Sequence, residues 1–377
     1  MREWTPELLE QMRRTGDPLA EATLLRAMQR GDVPRINDIF RSFAADDAHV
    51  PADAPPEFLE FVHATRALPP GIDCERVGRG AHVLLRHATL VALALLLKSL
   101  PSGYAAPRLA HVLHMSGNLE KRPYRRALGV LQMVVNISRH DAFTEAGAAV
   151  VTGQKLRLLH AGVRHVVRTK LPHFEPLHGT PISQLDMTYT IMTFSVMVVD
   201  GLAALGVRWT DAEADDYFQL WRAYGELQGI LPEWMPATIA EGRAFCAAYA
   251  CEYRDAAQNP DGVALTHADL EMMRRLIPWP MRLLGLGSAP AVYLLHMLGE
   301  EGAARVGVVR KRSHVWCEWL AMRIPLAWQR LWNRIAPEQE AHERISRLFF
   351  STLIVGAWGE EVRFSVPQTL ADMRKLA

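Results

Sequence analysis

Apolar residues recur along this chain three and four positions apart and rarely alternate one by one, which is the period of helices rather than strands. The pattern predicts helices over Glu7 to Arg14, Pro18 to Arg30, Ile36 to Phe43 and Glu57 to Leu68. It continues with Gly80 to Leu100, Pro107 to Met115, Arg122 to Ser138 and Thr144 to Leu171. Then come Ser183 to Leu205, Thr210 to Leu227, Pro236 to Ala257, Thr266 to Arg275, Pro290 to Met297, Gly302 to Trp332 and Pro337 to Trp358. Gly16-Asp17-Pro18, Pro69-Pro70-Gly71 and Pro101-Ser102-Gly103 punctuate them as turns. Ser183 with Asp186, and Thr266 with Asp269, have the spacing of helix-starting capping pairs. No fixed-period repeat suggests a solenoid, and no low-complexity linker divides the chain. The expectation is an all-α protein with a single large helical domain over 71–377 and a looser helical N-terminal extension over 1–70.

Composition narrows the class. Of 377 residues, 49% are hydrophobic and 22% charged, a globular balance. Lys and Arg number 42 against 41 Asp and Glu, which argues against a nucleic-acid partner. The apolar run Ala88 to Leu97 is half of the roughly 20 residues that cross a bilayer, so no transmembrane segment is expected. The polar start, Met1 to Arg14, has no signal-peptide core, and the expected location is cytoplasmic. Four cysteines without a CxxC pair exclude a disulfide scaffold and a cysteine zinc site. Nucleotide-binding glycine loops, GxSxG and HExxH are all missing.

Chemistry gathers in Lys155 to His165, KLRLLHAGVRH. On a helix Arg157, His160, Ala161 and Arg164 form one stripe, with Leu156, Leu159 and Val163 beside it. One imidazole thus lies between two guanidinium groups, and Ala161 and Gly162 keep the neighbouring surface flat. A haem needs that combination: an iron ligand, small residues at the ring and arginines for its propionates. The same stripe also suits a solvated or interfacial helix face. A zinc pair is poorer, since His160 and His165 diverge by about 140°. His82, His87, His111 and His114 suit either a pocket or a satisfied core.

RLLHAGVRH resembles the haem-binding core of the latex-clearing protein (rubber oxygenase) and MpaB-type oxygenase family. Ser116-Gly117-Asn118-Leu119 with Arg125-Arg126 is similar to the family's turn and distal helix. Pro181-Ile182-Ser183-Gln184-Leu185-Asp186 is similar to its PI-x-Q-x-D helix start, and Trp221 to Ile230 to its W…G…LGI stretch. The resemblance implies globin-like helical packing around haem b, with His160 as the axial ligand. It places Arg157, Arg164 and His165 around that ligand, and Arg126 on the distal helix as the residue that orients oxygen or a propionate. Gly129 and Val130 stand where the rubber oxygenase pattern has lysine and threonine. The sixth iron site is then open or water-bound, or filled from elsewhere, with His111 and His114 the nearest histidines. The implied activity is haem-dependent oxygenation, with dioxygen, of a small apolar or amphipathic molecule, lipid- or isoprenoid-like. The alternatives are a non-catalytic haem carrier or sensor, and a cofactor-free helical binding protein.

Overall fold

The computed structural model describes residues 2–42, 50–115, 123–145, 147–253 and 259–311, with short pieces between 317 and 369. Among the described residues there is no strand. The chain starts with α1 (Pro6–Arg13), α2 (Pro18–Arg30), α3 (Val33–Ser42) and α4 (Pro56–Thr65). It goes on through α5 (Cys74–Arg86), α6 (Ala88–Ala94), a π turn (Leu95–Ser99), α7 (Leu100–Tyr104), α8 (Pro107–Met115), α9 (Pro123–Ile137), α10 (Ala148–Lys170) and α11 (Phe174–His178). The rest is α12 (Gln184–Phe194), α13 (Val196–Ala204), α14 (Asp211–Leu227), α15 (Ile239–Cys251), α16 (Pro260–Leu276), α17 (Trp279–Leu283) and α18 (Ala289–Arg305). The all-α single domain that the periodicity implied is what the chain adopts.

Local chemistry sets several of these ends. Pro18 opens α2, the Asp17 carboxylate accepts the Ala20 N–H at 3.2 Å, and Gly31 closes the helix at φ 79°. Ser183 and Asp186 form a reciprocal capping box on α12, as expected from their spacing, and Thr210 with Glu213 does the same on α14. Thr266 and Asp269 do not start a helix. They are buried in the middle of α16, whose cap is Asn259, accepting the Gly262 N–H at 3.0 Å.

The stretch Gly80 to Leu100 is also not one helix. It turns a corner of 87° at His87, between α5 and the α6–α7 run. No proline or glycine marks that corner; packing dictates it, since α5 lies along α14 and α6 against α13. Pro101 lies inside α7 rather than ending a helix. The wide turn before it, where the Leu100 N–H reaches the Leu95 carbonyl, relieves the clash of the proline ring with the preceding turn. Ser183 to Leu205 is interrupted at Ser195, whose hydroxyl donates to the Ile191 carbonyl at 2.8 Å. Of Gly302 to Trp332, residues up to Arg305 belong to α18, which kinks at Gly299. Pro337 to Trp358 falls almost wholly outside the described residues.

Helix α10 is the axle of the molecule. Ala20, Leu24 and Ala27 of α2 and Phe58 and Phe61 of α4 pack on its Leu158 and Ala161. Val112 of α8 and Phe174 of α11 pack on Val163, Val166 and Val167. On another side, Gly153 brings α10 against the Leu227 backbone at the end of α14; an added Cβ would stand 2.9 Å from that carbonyl. Among the described residues one helical stretch, Gln184–Ala204, is long and apolar enough to cross a membrane. Two thirds of it is buried inside the protein, and the buried Asp186 near its start pairs with Arg108 at 2.8 Å, so it serves as a core element.

Candidate functional site

His160 lies just past the middle of α10, surrounded by protein, yet keeps partial exposure. A side chain in that condition sits among many neighbours and is still reached from one direction. Its Nδ1 is sealed from solvent and has no hydrogen-bond partner among the described residues, so what remains open lies elsewhere on the residue. Burial, reinforced by the neighbouring Arg164 charge and opposed by Asp17, pulls the imidazole pKa down to about 3. The ring is therefore neutral at physiological pH, the form that donates a lone pair to a metal.

Across from it runs α9. The Asn136 amide donates to Thr152 Oγ1 of α10 at 3.1 Å, and Gln132 donates to Asn136 Oδ1 at 3.0 Å. Helices joined by a short connection run antiparallel, and counting back along both from Asn136–Thr152 brings Gly129 level with Leu159 and His160. A Cβ on Gly129 would meet nothing within 4 Å among the described residues.

The arginines either side of His160 are built differently. Arg164 is fully buried. Its Nε donates to the Pro181 and Ile182 carbonyls at 3.1 and 3.2 Å, and its Nη2 to the Ile182 carbonyl at 2.5 Å. Its Nη1 is buried without a partner among the described residues. Ile182 holds φ at 49°, the left-handed region that a β-branched residue avoids, and that strain accompanies the double use of its carbonyl. Arg157 is committed to Asp17: Nε donates to Oδ2 at 2.7 Å and Nη2 to Oδ1 at 2.9 Å, with the guanidinium 5.5 Å from the Phe61 ring centre.

Two of the stretches singled out by sequence, 181–186 and 221–230, meet here. Gln184 donates to the carbonyls of Gly16 and Gly229, both at 2.9 Å, and accepts the Leu231 N–H at 3.0 Å. Gly229, at φ 84°, leaves room for the Asp17–Arg157 pair; an added Cβ would stand 2.7 Å from Asp17 Oδ2 and 2.8 Å from Arg157 Nε. Asp186 gathers Arg108 at 2.8 Å, Tyr249 at 3.1 Å and Ser183 at 2.9 Å. His165, one turn beyond Ala161, is partly exposed. Arg126 falls on α9, but its side chain is outside the described residues, as is all of 116–122. His111 and His114 face Asp261 of α16, His111 at 2.8 Å, and His111 also stacks on Phe174.

Sequence reasoning missed Asp17 and Glu21. Glu21 lies 3.5 Å from Arg164 and also pairs with Arg168. The one signal for Asp17 was its helix-capping position before Pro18. Its two tasks can be separated. Asp17→Asn keeps a capping oxygen and loses the ion pair, whereas Asp17→Ala loses both. Breaking a buried pair costs about 3–5 kcal/mol and a lost cap about 1 kcal/mol more. The urea midpoint is expected to fall in the order parent, Asp17→Asn, Asp17→Ala; equal midpoints for all three would show that the pair holds nothing.

Residues 80–323 match the family model described as "ER-bound oxygenase mpaB/B'/Rubber oxygenase, catalytic domain". The chain belongs to this family. The MpaB/rubber oxygenase region takes in α10 with His160, while Asp17 and Glu21 come from outside it. The chain is also 27% identical, over 266 residues, to the rubber oxygenase of Streptomyces sp. (strain K30), covering 69% of its own length. It spans 64% of the length of that relative. In fold it is similar to latex clearing protein LCP in its closed state, with a TM-score of 0.72, 24% identity and 94% of both chains covered.

Proposed function

We propose that this chain is a haem b-dependent oxygenase that uses dioxygen on an apolar or amphipathic, polyisoprenoid- or lipid-like substrate. Membership of the MpaB/rubber oxygenase family supports the reaction class. The observation that carries the haem reading is His160: a neutral imidazole surrounded by protein on a residue that is still partly exposed. One buried group without a partner among the described residues, Arg164 Nη1, suits a bound group that brings its own acceptor. Among the described residues no three His, Cys, Asp or Glu side chains gather as a metal set, so an ion at His160 needs further donors, and a macrocycle supplies four.

In this reading the His160 imidazole holds the iron and Arg164 Nη1 donates to a propionate. Haem supplies the redox chemistry that activates dioxygen. Asp17 fixes Arg157 and, through it, the turn of α10 below His160. Leu156 and Leu159 flank His160, and Val130 and Met133 stand on the facing helix, all partly exposed and apolar; such walls keep water away and receive an apolar substrate. Arg126 is the proposed polar side chain on the α9 side, and His165 the proposed neighbour of the haem edge. Gly129 itself would offer no ligating side chain to a haem held at His160.

The test is an absorption spectrum of the purified full-length chain followed by oxygen-electrode traces with a panel of isoprenoids, polyisoprene and unsaturated lipids. A Soret band and substrate-dependent oxygen uptake are expected. A protein that takes up no haem on reconstitution overturns the reading; one that takes up haem and consumes no oxygen with any member is a carrier.

A further inference from the structure

Large apolar side chains are exposed at several places on the described surface, and most densely in sequence over 276–284. Between the end of α16 and the turn after α17, Leu276, Trp279, Met281, Leu283 and Leu284 are all exposed, Leu283 at 77% and Trp279 at 66%. Pro278 and Pro280 stiffen this stretch, and α17 packs chiefly on its own following turn, Leu286–Ser288. The result is a small apolar knob. A concentration of this kind marks a surface that meets an apolar partner.

Its charge identifies that partner. Arg274, Arg275 and Arg282 flank the knob along the chain, and Arg274 and Arg275 share Glu271 at 2.6 and 2.9 Å. The stems of Arg274 and Arg282 both pass Gly287, where an added Cβ would touch each, so these two arginines start from the turn that carries the knob. A second copy of this chain would bring the same positive charge to the contact and be repelled. An apolar polymer has no use for the arginines. A bilayer with anionic headgroups uses both parts: leucines and methionine enter the acyl boundary, the indole sits at the headgroup level, and the guanidinium groups reach phosphates along apolar stems. We propose that the segment 276–284 docks this protein peripherally on an anionic phospholipid surface. Nothing in this docking depends on what His160 binds.

The experiment is co-sedimentation of the full chain with vesicles of phosphatidylcholine alone, or with about one third phosphatidylglycerol added. Binding to the anionic vesicles is expected, at least about tenfold tighter than to the neutral ones and weakened by salt. Leu283→Ser combined with Leu284→Ser is expected to lower partitioning by about tenfold or more, because each buried leucine is worth that factor. Neutralising Arg274, Arg275 and Arg282 to Gln is expected to abolish the anionic preference. All five changes are at surface positions, and circular dichroism and the unfolding midpoint confirm the fold. In the parent, brominated lipid is expected to quench a fluorescence component that Trp279→Phe removes. Equal binding by the leucine variant and the parent, absence of an anionic preference, or a Trp279 component untouched by brominated lipid overturns the proposal. A dimer in the parent that the leucine variant dissolves assigns the knob to a second copy, and binding to polyisoprene particles indifferent to the arginines assigns it to the polymer; either result also overturns it.

Discussion

Alanine in place of His160 is expected to leave the purified protein without haem. Loss of a group that merely supports a metal ligand costs about 10–100-fold in affinity, and removal of the ligand itself costs more, so the Soret band is expected to vanish at the concentrations used for purification. The fold should survive. His160 carries no net charge at neutral pH, its Nδ1 makes no hydrogen bond among the described residues, and the residue is still partly exposed. Far-ultraviolet circular dichroism is therefore expected to match the parent. Added imidazole offers a check on the assignment: a small ligand entering the space vacated by the ring restores part of the haem binding. A His160→Ala protein with the parent's haem content and spectrum would remove His160 from the site.

The stripe that carries this expectation was legible in the sequence, because one helix supplies all of its members and helical spacing is fixed. The same holds for the capping box at Ser183, where three residues settle the geometry. What the sequence concealed is what distant segments contribute. Arg157 lies on the stripe as expected, but its partner is Asp17, 140 residues earlier in the chain, and helical periodicity carries no information about contacts at that separation. The corner at His87 is hidden for a related reason: it follows from α5 lying along α14 and α6 against α13, and not from a local breaker. The capping pair expected at Thr266 failed because the same residue types sit buried in mid-helix, where neighbouring helices decide their setting. Near the site, Gly129 read as a missing ligand, and its place on a helix that touches α10 through Asn136 and Thr152 is information the sequence did not carry.

Arg164 is where stability and the proposed haem binding are coupled, and Arg164→Met is expected to lower both. Methionine keeps much of the volume and loses every donor. The Pro181 and Ile182 carbonyls would then be buried without their guanidinium, at about 1–3 kcal/mol for each group left unpaired. Ile182 would keep its strained φ without the hydrogen bonds that accompany it. Glu21 retains Arg168 and adds little to the loss. A drop of several kcal/mol, read as a lower urea midpoint, is thus expected even before haem is considered. Arg164→Lys is expected to rescue little, since one ammonium cannot serve two carbonyls and a propionate in the planar geometry of the guanidinium. The haem effect is separable by its dependence on conditions. A charged hydrogen bond from Nη1 to a propionate is worth about 1.5–3 kcal/mol, so haem transfer to an acceptor protein is expected to be about tenfold faster or more in Arg164→Met, measured well below its unfolding midpoint. Esterified haem, which has no propionate charge, is expected to erase most of that difference between variant and parent. If the parent releases haem and its ester at the same rate, Arg164 serves the turn at Ile182 alone, and the propionates are held elsewhere.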